Sequence, residues 1–403
     1  MNDPKRWKLL WASGLVGLVL FFCGLKLASF CRLINDEVYS QVNSVTTVGY
    51  GTILLGRVTG EGNNAPLFYL LQKGLCGLGR FQTPEAWLAG ERFSTDPYAM
   101  IFLRLNPVFF MSLAGAALFY FFLRQYSWGW GTLAVVVFLS SGNVWMHTVQ
   151  ARHYALWLGL TMIQSLLFLA LLQKSKPQTV QEECSVNCLW GWLGLVHVLL
   201  ALTVILSLGQ IAVVSLLLWI FKDKKWLRFF PLVVLPAILC GFYFLQVKHF
   251  QHDVPPQWPQ VIRSSFPVEQ LAILLVFGLG MGINFFRNKD NPSDSFSDRS
   301  VKIYFLFAIL ILAAAFILMG LFQWRAPVLP SGHKVSSNYF MFLTPAGIIG
   351  TVLFSVSLWR GLRNHPWLRA NGAIALAGLI VLMYLHNYPL WVFGEILKER
   401  FGL

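Results

Sequence analysis

The chain has 403 residues, of which 56% are hydrophobic and only 12% charged, and its formal charge is +14. So much apolar surface cannot be hidden in one soluble core, and it recurs in long runs, which identifies a polytopic membrane protein. The basic residues fall in short segments between those runs, the pattern of cytoplasmic membrane loops, which excludes nucleic acid as the partner that the charge alone suggests.

Lys5, Arg6 and Lys8 precede an apolar run over residues 9–30 in which only Lys26 is charged. The run meets the requirement of about 20 residues for crossing a hydrocarbon core. It exceeds a signal-peptide core and ends in a poor cleavage sequence, Leu27, Ala28 and Ser29, so it reads as a retained helix. Two adjacent carboxylates, Asp36 and Glu37, follow at the membrane surface. An acid there is either a solvated loop residue or one held in a protein cavity, where partial desolvation makes it a usable base. Residues 31–97 form the longest stretch of mixed character, read as a first outer loop with juxtamembrane helices. Within it Leu67, Leu70, Leu71, Gly74 and Leu75 share a helical face while Gln72 and Lys73 point elsewhere. That pattern fits a helix lying in the interface or one packed under a loop.

The second span, residues 98–123, contains Arg104, and a charge so placed is paired, snorkels or faces a cavity. Residues 128–147 cross outward and 154–172 return, which leaves Gln150, Ala151, Arg152, His153 and Tyr154 at the outer face. Residues 189–221 are too long for one ordinary helix and are interrupted at Ser207, Leu208, Gly209 and Gln210, which predicts two short helices turning at the outer face. Spans over 227–246, 268–286, 301–322, 339–359 and 370–392 bring the count to about eleven, with the C-terminus outside. Cys184 and Cys188 have no further ligand in their loop to complete a zinc set, whereas Cys31 and Cys76 share the outer side, where a disulfide is chemically allowed. No Walker motif, metal-ligand spacing, nucleophile elbow or dinucleotide fingerprint is present, which argues against a cytosolic nucleotide donor and leaves no cofactor or metal assigned.

This topology collects Asp36, Glu37, Arg57, Lys73, Arg152, His153, Arg325, His333 and Lys334 on one side of the membrane. A mixed acid and base lining suits a reaction between a water-side nucleophile and a lipid-borne anionic leaving group. The acid accepts a hydroxyl proton, and Arg or Lys neutralises a departing phosphate. Arg57 and Lys334 lie in hydrophilic loops, where solvation is the ordinary state. Arg152 sits between an outward and an inward helix, where it either anchors the helix to headgroups or serves a site.

Five stretches, taken in order, carry a family resemblance. Asp36 and Glu37 follow the first helix, and residues 64–71 read Asn-Ala-Pro-Leu-Phe-Tyr-Leu-Leu. Leu103, Arg104 and Leu105 open the next span, residues 150–156 read Gln-Ala-Arg-His-Tyr-Ala-Leu, and Asn338, Tyr339 and Phe340 precede Pro345. Together they resemble the membrane-embedded glycosyltransferases with the GT-C fold, particularly the family 39 group of protein O-mannosyltransferases and lipid A aminoarabinose transferases. The fourth stretch is the most specific, and the resemblance covers most of the chain.

The resemblance implies a single all-α GT-C domain over 1–403 that transfers a sugar, with inversion, from a polyprenyl-phosphate donor to a lipid, glycan or protein acceptor. The site would face the outer or lumenal side, and since nothing in the sequence resembles an organelle retrieval signal, a bacterial inner membrane with the site toward the periplasm is expected. Asp36 is implied as the base or acceptor-positioning carboxylate, with Glu37 its partner, and Arg152 as a donor phosphate contact, to which Lys73 or Arg325 is added by its side of the membrane alone. Arg104, Asn64, Tyr69, His153, Tyr154, His333, Lys334, Asn338 and Tyr339 would line the substrate cavity. Asn64 and Ala65 stand where the family commonly has His or Lys and Pro, and Asn338 where it often has Arg, so Arg325, His333 or Lys334 is expected to supply a phosphate contact. The chain ends soon after the last predicted span without a large soluble domain, so acceptor recognition is expected of the outer loops. Two other classes suit the topology: a transporter or flippase of lipid-linked sugars, for which inverted repeats are expected and none is clear, and a non-catalytic assembly subunit.

Overall fold

The computed structural model describes residues 4–58, 65–91, 94–174, 179–222, 226–246, 296–325 and 341–361, with part of the stretch 367–381. The expected span over 268–286 and most of that over 370–392 lie outside the described residues, as do Asn64, His333, Lys334, Asn338 and Tyr339. Among the described residues every element is helical, apart from one antiparallel bridge between Leu33 and Ser94 that ties the start of the first outer segment to its end. Five stretches are long and apolar enough to cross a membrane: Trp7–Ala28, Pro97–Gln125, Tyr154–Gln173, Val180–Thr203 and Leu343–Arg360. A bent pair, Trp128–Leu139 with Gly142–Thr148, is apolar enough to make a sixth when taken as one span. The described residues are those of a helical membrane protein.

The helices in chain order are α1 (Pro4–Ala28), α2 (Asn35–Ser40), a π-helix (Gln41–Thr46), α3 (Tyr50–Leu54), α4 (Leu67–Leu78) and α5 (Glu85–Leu88). Then come α6 (Pro97–Phe102), α7 (Leu105–Gln125), α8 (Trp128–Leu139), α9 (Gly142–Thr148) and α10 (Tyr154–Gln173). The chain continues through α11 (Val180–Thr203), α12 (Ser207–Phe221), α13 (Trp226–Gln246), α14 (Phe296–Arg325) and α15 (Leu343–Gly361).

Several spans are interrupted, and the freed backbone groups are taken up by side chains. In an apolar layer an unpaired carbonyl is costly, so each break needs a donor. Pro107 lacks the N–H that would reach the Leu103 carbonyl, and Gln72 of α4 donates to that carbonyl instead at 3.0 Å. Pro236 leaves the Leu232 carbonyl in the same position within α13, and His197 of α11 reaches it through Nδ1 at 3.1 Å. At the break between α8 and α9 the Trp145 indole N–H donates to the Leu139 carbonyl.

Two expectations need correction. Residues 189–221 do not form two short helices. Thr179 caps a helix that starts at Val180, its hydroxyl accepting from the Glu182 N–H at 3.2 Å, and Glu182 and Glu183 favour its first turn electrostatically. The segment expected to be a polar loop is therefore the first turns of a 24-residue span, and only α12, at 15 residues, is short. Residues 128–147 do not form one straight span either, because α8 and α9 meet at an angle of 69° at Ser140 and Ser141.

Small residues set the closest helix approaches, as in membrane bundles generally. A Cβ at Gly17 of α1 would stand 3.0 Å from that of Ala116 in α7, and one at Gly159 of α10 would stand 3.0 Å from the Phe110 carbonyl oxygen of α7. Helix ends also sort into two sets. Arg360 at the end of α15 lies over the Tyr126 ring at the end of α7, and Lys222 after α12 donates to the Lys174 carbonyl after α10. At the opposite end Tyr243 of α13 donates to the Leu54 carbonyl of the first outer segment at 3.2 Å, and Asn143 of α9 donates to Thr344 of α15 at 2.9 Å.

Candidate functional site

The site grows from the first turn of α2. The Leu33 bridge fixes where that helix begins, and its N-terminal turn favours carboxylates through the helix dipole. Neighbouring helix positions point about 100° apart, and here the turn sends Asp36 and Glu37 into different surroundings. Glu37 is 1% exposed, whereas the Asp36 side chain is 61% exposed.

Glu37 lies in a closed network. Its Oε1 accepts from Arg104 Nε at 3.0 Å and from the Ala151 N–H at 2.6 Å. Its Oε2 accepts from Arg104 Nη2 at 2.8 Å and from the Ile34 N–H at 2.9 Å. Four donors fill the capacity of a carboxylate. Arg104 spends its remaining N–H groups on carbonyls at the end of α1: Nη1 on Ala28 at 3.1 Å and on Cys31, and Nη2 on Arg32 at 2.9 Å. Its guanidinium, placed in the turn between α6 and α7, thereby joins the end of α1, the start of α2 and the loop before α10. The charge inside a span has found its partner, and both are buried.

Asp36 faces the other way. Its Oδ2 accepts from Arg152 Nη1 at 2.9 Å, and the guanidinium carbon of Arg152 stands 5.0 Å from the centre of the Tyr154 ring. The Arg152 side chain is only 16% exposed. An exposed carboxylate and a largely enclosed cation therefore meet at the N-terminus of α10. Because the Ala151 N–H binds Glu37 while Arg152 binds Asp36, the two adjacent pairs lock α2 and this loop in register.

Aromatic and neutral groups form the floor. The Tyr154 ring lies 4.3 Å from the His153 ring and 5.1 Å from that of His147, and His153 also faces Phe68 of α4 at 6.5 Å. Burial, with the positive charge of Arg152 and the neighbouring His147, holds the His153 imidazole well below its ordinary pKa, so it is neutral. Tyr69 is buried against Phe68.

Lys73 is engaged elsewhere. Its Nζ donates to the Val45 carbonyl of the π-helix at 2.7 Å and lies 5.5 Å from the Tyr50 ring centre. Arg57 is exposed. The backbone of Arg325 closes α14, but its side chain lies outside the described residues. Cys31 and Cys76 are not joined in a disulfide, and Cys76 receives a contact from Gln41 at 3.6 Å. Among the described residues no group of three His, Cys, Asp or Glu side chains is arranged to hold a metal ion.

Sequence reasoning singled out Asp36, Glu37, Arg104 and Arg152 but not the division of labour among them. The Ala151 N–H and the anchoring of Arg104 to the end of α1 were missed, since backbone donors and carbonyls leave no trace in residue identity. Comparison of the sequence with models of known protein families and with curated proteins returns no match.

Proposed function

We propose that the chain is a membrane glycosyltransferase of GT-C type, working at the outer face of a bacterial inner membrane on a polyprenyl-phosphate-linked sugar. The observation that carries this reading is the pairing of exposed Asp36 with the largely enclosed Arg152 at the N-terminus of α10. Asp36 accepts the proton of an acceptor hydroxyl, whose oxygen attacks the anomeric carbon. The bond from that carbon to the phosphate oxygen breaks with inversion, and Arg152 neutralises the departing phosphate. Glu37, saturated by four donors and shielded from solvent, acts here as a positioning residue together with Arg104.

The test is transfer from radiolabelled polyprenyl-phosphate sugars into membranes that contain wild-type protein or Asp36→Asn. Loss of a general base lowers transfer by about 10²–10⁴-fold, and full activity in Asp36→Asn would remove Asp36 from this role. A transporter or flippase of lipid-linked sugars is the second reading. The interruption of apolar helices between α6 and α7 and between α8 and α9 favours it, because broken helices line transport sites. It predicts movement of the labelled lipid across vesicles with no covalent transfer, and a non-catalytic assembly subunit predicts neither.

A further inference from the structure

Buried serines and threonines in the spans follow a local rule. Ser112, Thr148, Thr161, Thr351 and Ser355 each donate to the carbonyl four residues earlier, at 2.6 to 2.8 Å. That bond satisfies a hydroxyl without any neighbour. Ser165, at the middle of α10 and fully buried, departs from this rule, as does Ser215 of α12. Tyr304 on α14 is the polar neighbour of Ser165, and neither hydroxyl closes a hydrogen bond of good geometry with a described residue.

One position before Ser165, Gln164 accepts from Gln210 Nε2 of α12 at 3.1 Å, and the same Nε2 donates to Thr161 at 3.0 Å. Gln164 Nε2 and Gln210 Oε1 are left without a partner among the described residues. Gln164, Ser165, Gln210 and Tyr304 are each at most 2% exposed. They lie where α10, α12 and α14 pack together, with α12 beginning at the break after α11.

We infer that these four side chains form a charge-free water-binding site in the middle of the membrane layer. Four unpaired polar atoms on three mutually packed helices are costly in an apolar layer, and internal water is bound where such atoms converge, about three per molecule. The four therefore call for roughly one or two waters. Their chemistry is that of water or an uncharged hydroxyl: an amide donor, an amide acceptor and two hydroxyls that can do either. An anion or cation has no opposite charge to meet there. The inference does not depend on whether the protein transfers or transports its lipid.

Radiolytic hydroxyl labelling of the full-length protein in detergent, read residue by residue by mass spectrometry, tests it. Water bound beside a side chain delivers the radical even where bulk solvent does not reach. Tyr304 is expected to be modified several-fold faster than Phe307, corrected for intrinsic reactivity, although Phe307 is equally buried and its ring is only 5.4 Å away. In Gln164→Leu/Gln210→Leu, labelling of Tyr304 should fall to the level of Phe307 while that of exposed Tyr98 stays unchanged. If the double variant does not fold, Ser165→Ala is the milder change, and it should reduce Tyr304 labelling as well. Equal labelling of Tyr304 and Phe307 in the wild type, or undiminished labelling of Tyr304 in a folded variant, would overturn the site.

Discussion

At the scale of single residues, the pairs made by Asp36 and Glu37 differ in what they contribute. The Asp36 and Arg152 pair sits in reach of water, so its net contribution to stability is small, and Asp36→Asn is expected to change unfolding by no more than about 1 kcal/mol. Glu37→Gln strands the buried Arg104 charge, and the expected loss is about 3–5 kcal/mol. Thermal unfolding of the two variants in detergent separates them, and equal midpoints would contradict the division of roles drawn above. His153 adds a pH dependence with a defined sign. Its folded pKa is depressed, so below about pH 6.5 the unfolded chain binds a proton that the folded one refuses. Stability should be unaffected above that pH and fall as the pH drops through the window beneath it, and His153→Phe should flatten the fall. Much of this was legible in the sequence: Asp36 and Arg152 stood out by chemistry and position, and Arg104 announced the need for a partner. That the partner is Glu37, 67 residues away, was not legible, because adjacent carboxylates look alike until a helix turns one of them inward.

At the scale of elements, the prolines mark in advance which carbonyls are orphaned, but not which side chain takes them. Pro236 orphans the Leu232 carbonyl, and only the packing of α11 on α13 brings His197 to it. This geometry allows a cycle of variants. His197→Leu leaves the carbonyl unsatisfied, at an expected cost of about 1–3 kcal/mol. Pro236→Ala restores the N–H at position 236 and lets α13 satisfy its own backbone, so the double variant should regain most of what the single one loses. If the two losses simply add, the hydrogen bond is not what the histidine contributes. The same limit explains the helix boundaries. Hydropathy located α10 and α13 within a residue or so, yet it overlooked α11 before residue 189, since polar first turns read as a loop unless the Thr179 cap is noticed. It also ran α8 and α9 together, because periodicity carries no sign of a 69° bend.

At the scale of the whole molecule, the order of crossings matters more than their number. Length and charge asymmetry predict about eleven spans, and the described residues supply five, or six with the bent pair. Contacts between helix ends test the order independently. Arg152, at the start of α10, meets Asp36, which follows α1, while Tyr126, at the end of α7, meets Arg360 at the end of α15. These two contacts lie at opposite ends of α7, which is long enough to span, so the chain between residues 126 and 152 is expected to cross, with α8 and α9 as a broken span and not a re-entrant loop. Between Tyr39 and Cys184 the chain then crosses three times: through α6 with α7, through α8 with α9, and through α10. An odd number puts these two exposed residues on opposite sides. In a background without other cysteines, Tyr39→Cys should react with an impermeant maleimide on intact cells, and native Cys184 only in inverted vesicles. Reaction of both from the same side would return α8 and α9 to a re-entrant loop, and with it would go the argument that Asp36 and Arg152 meet on the face opposite the basic loops.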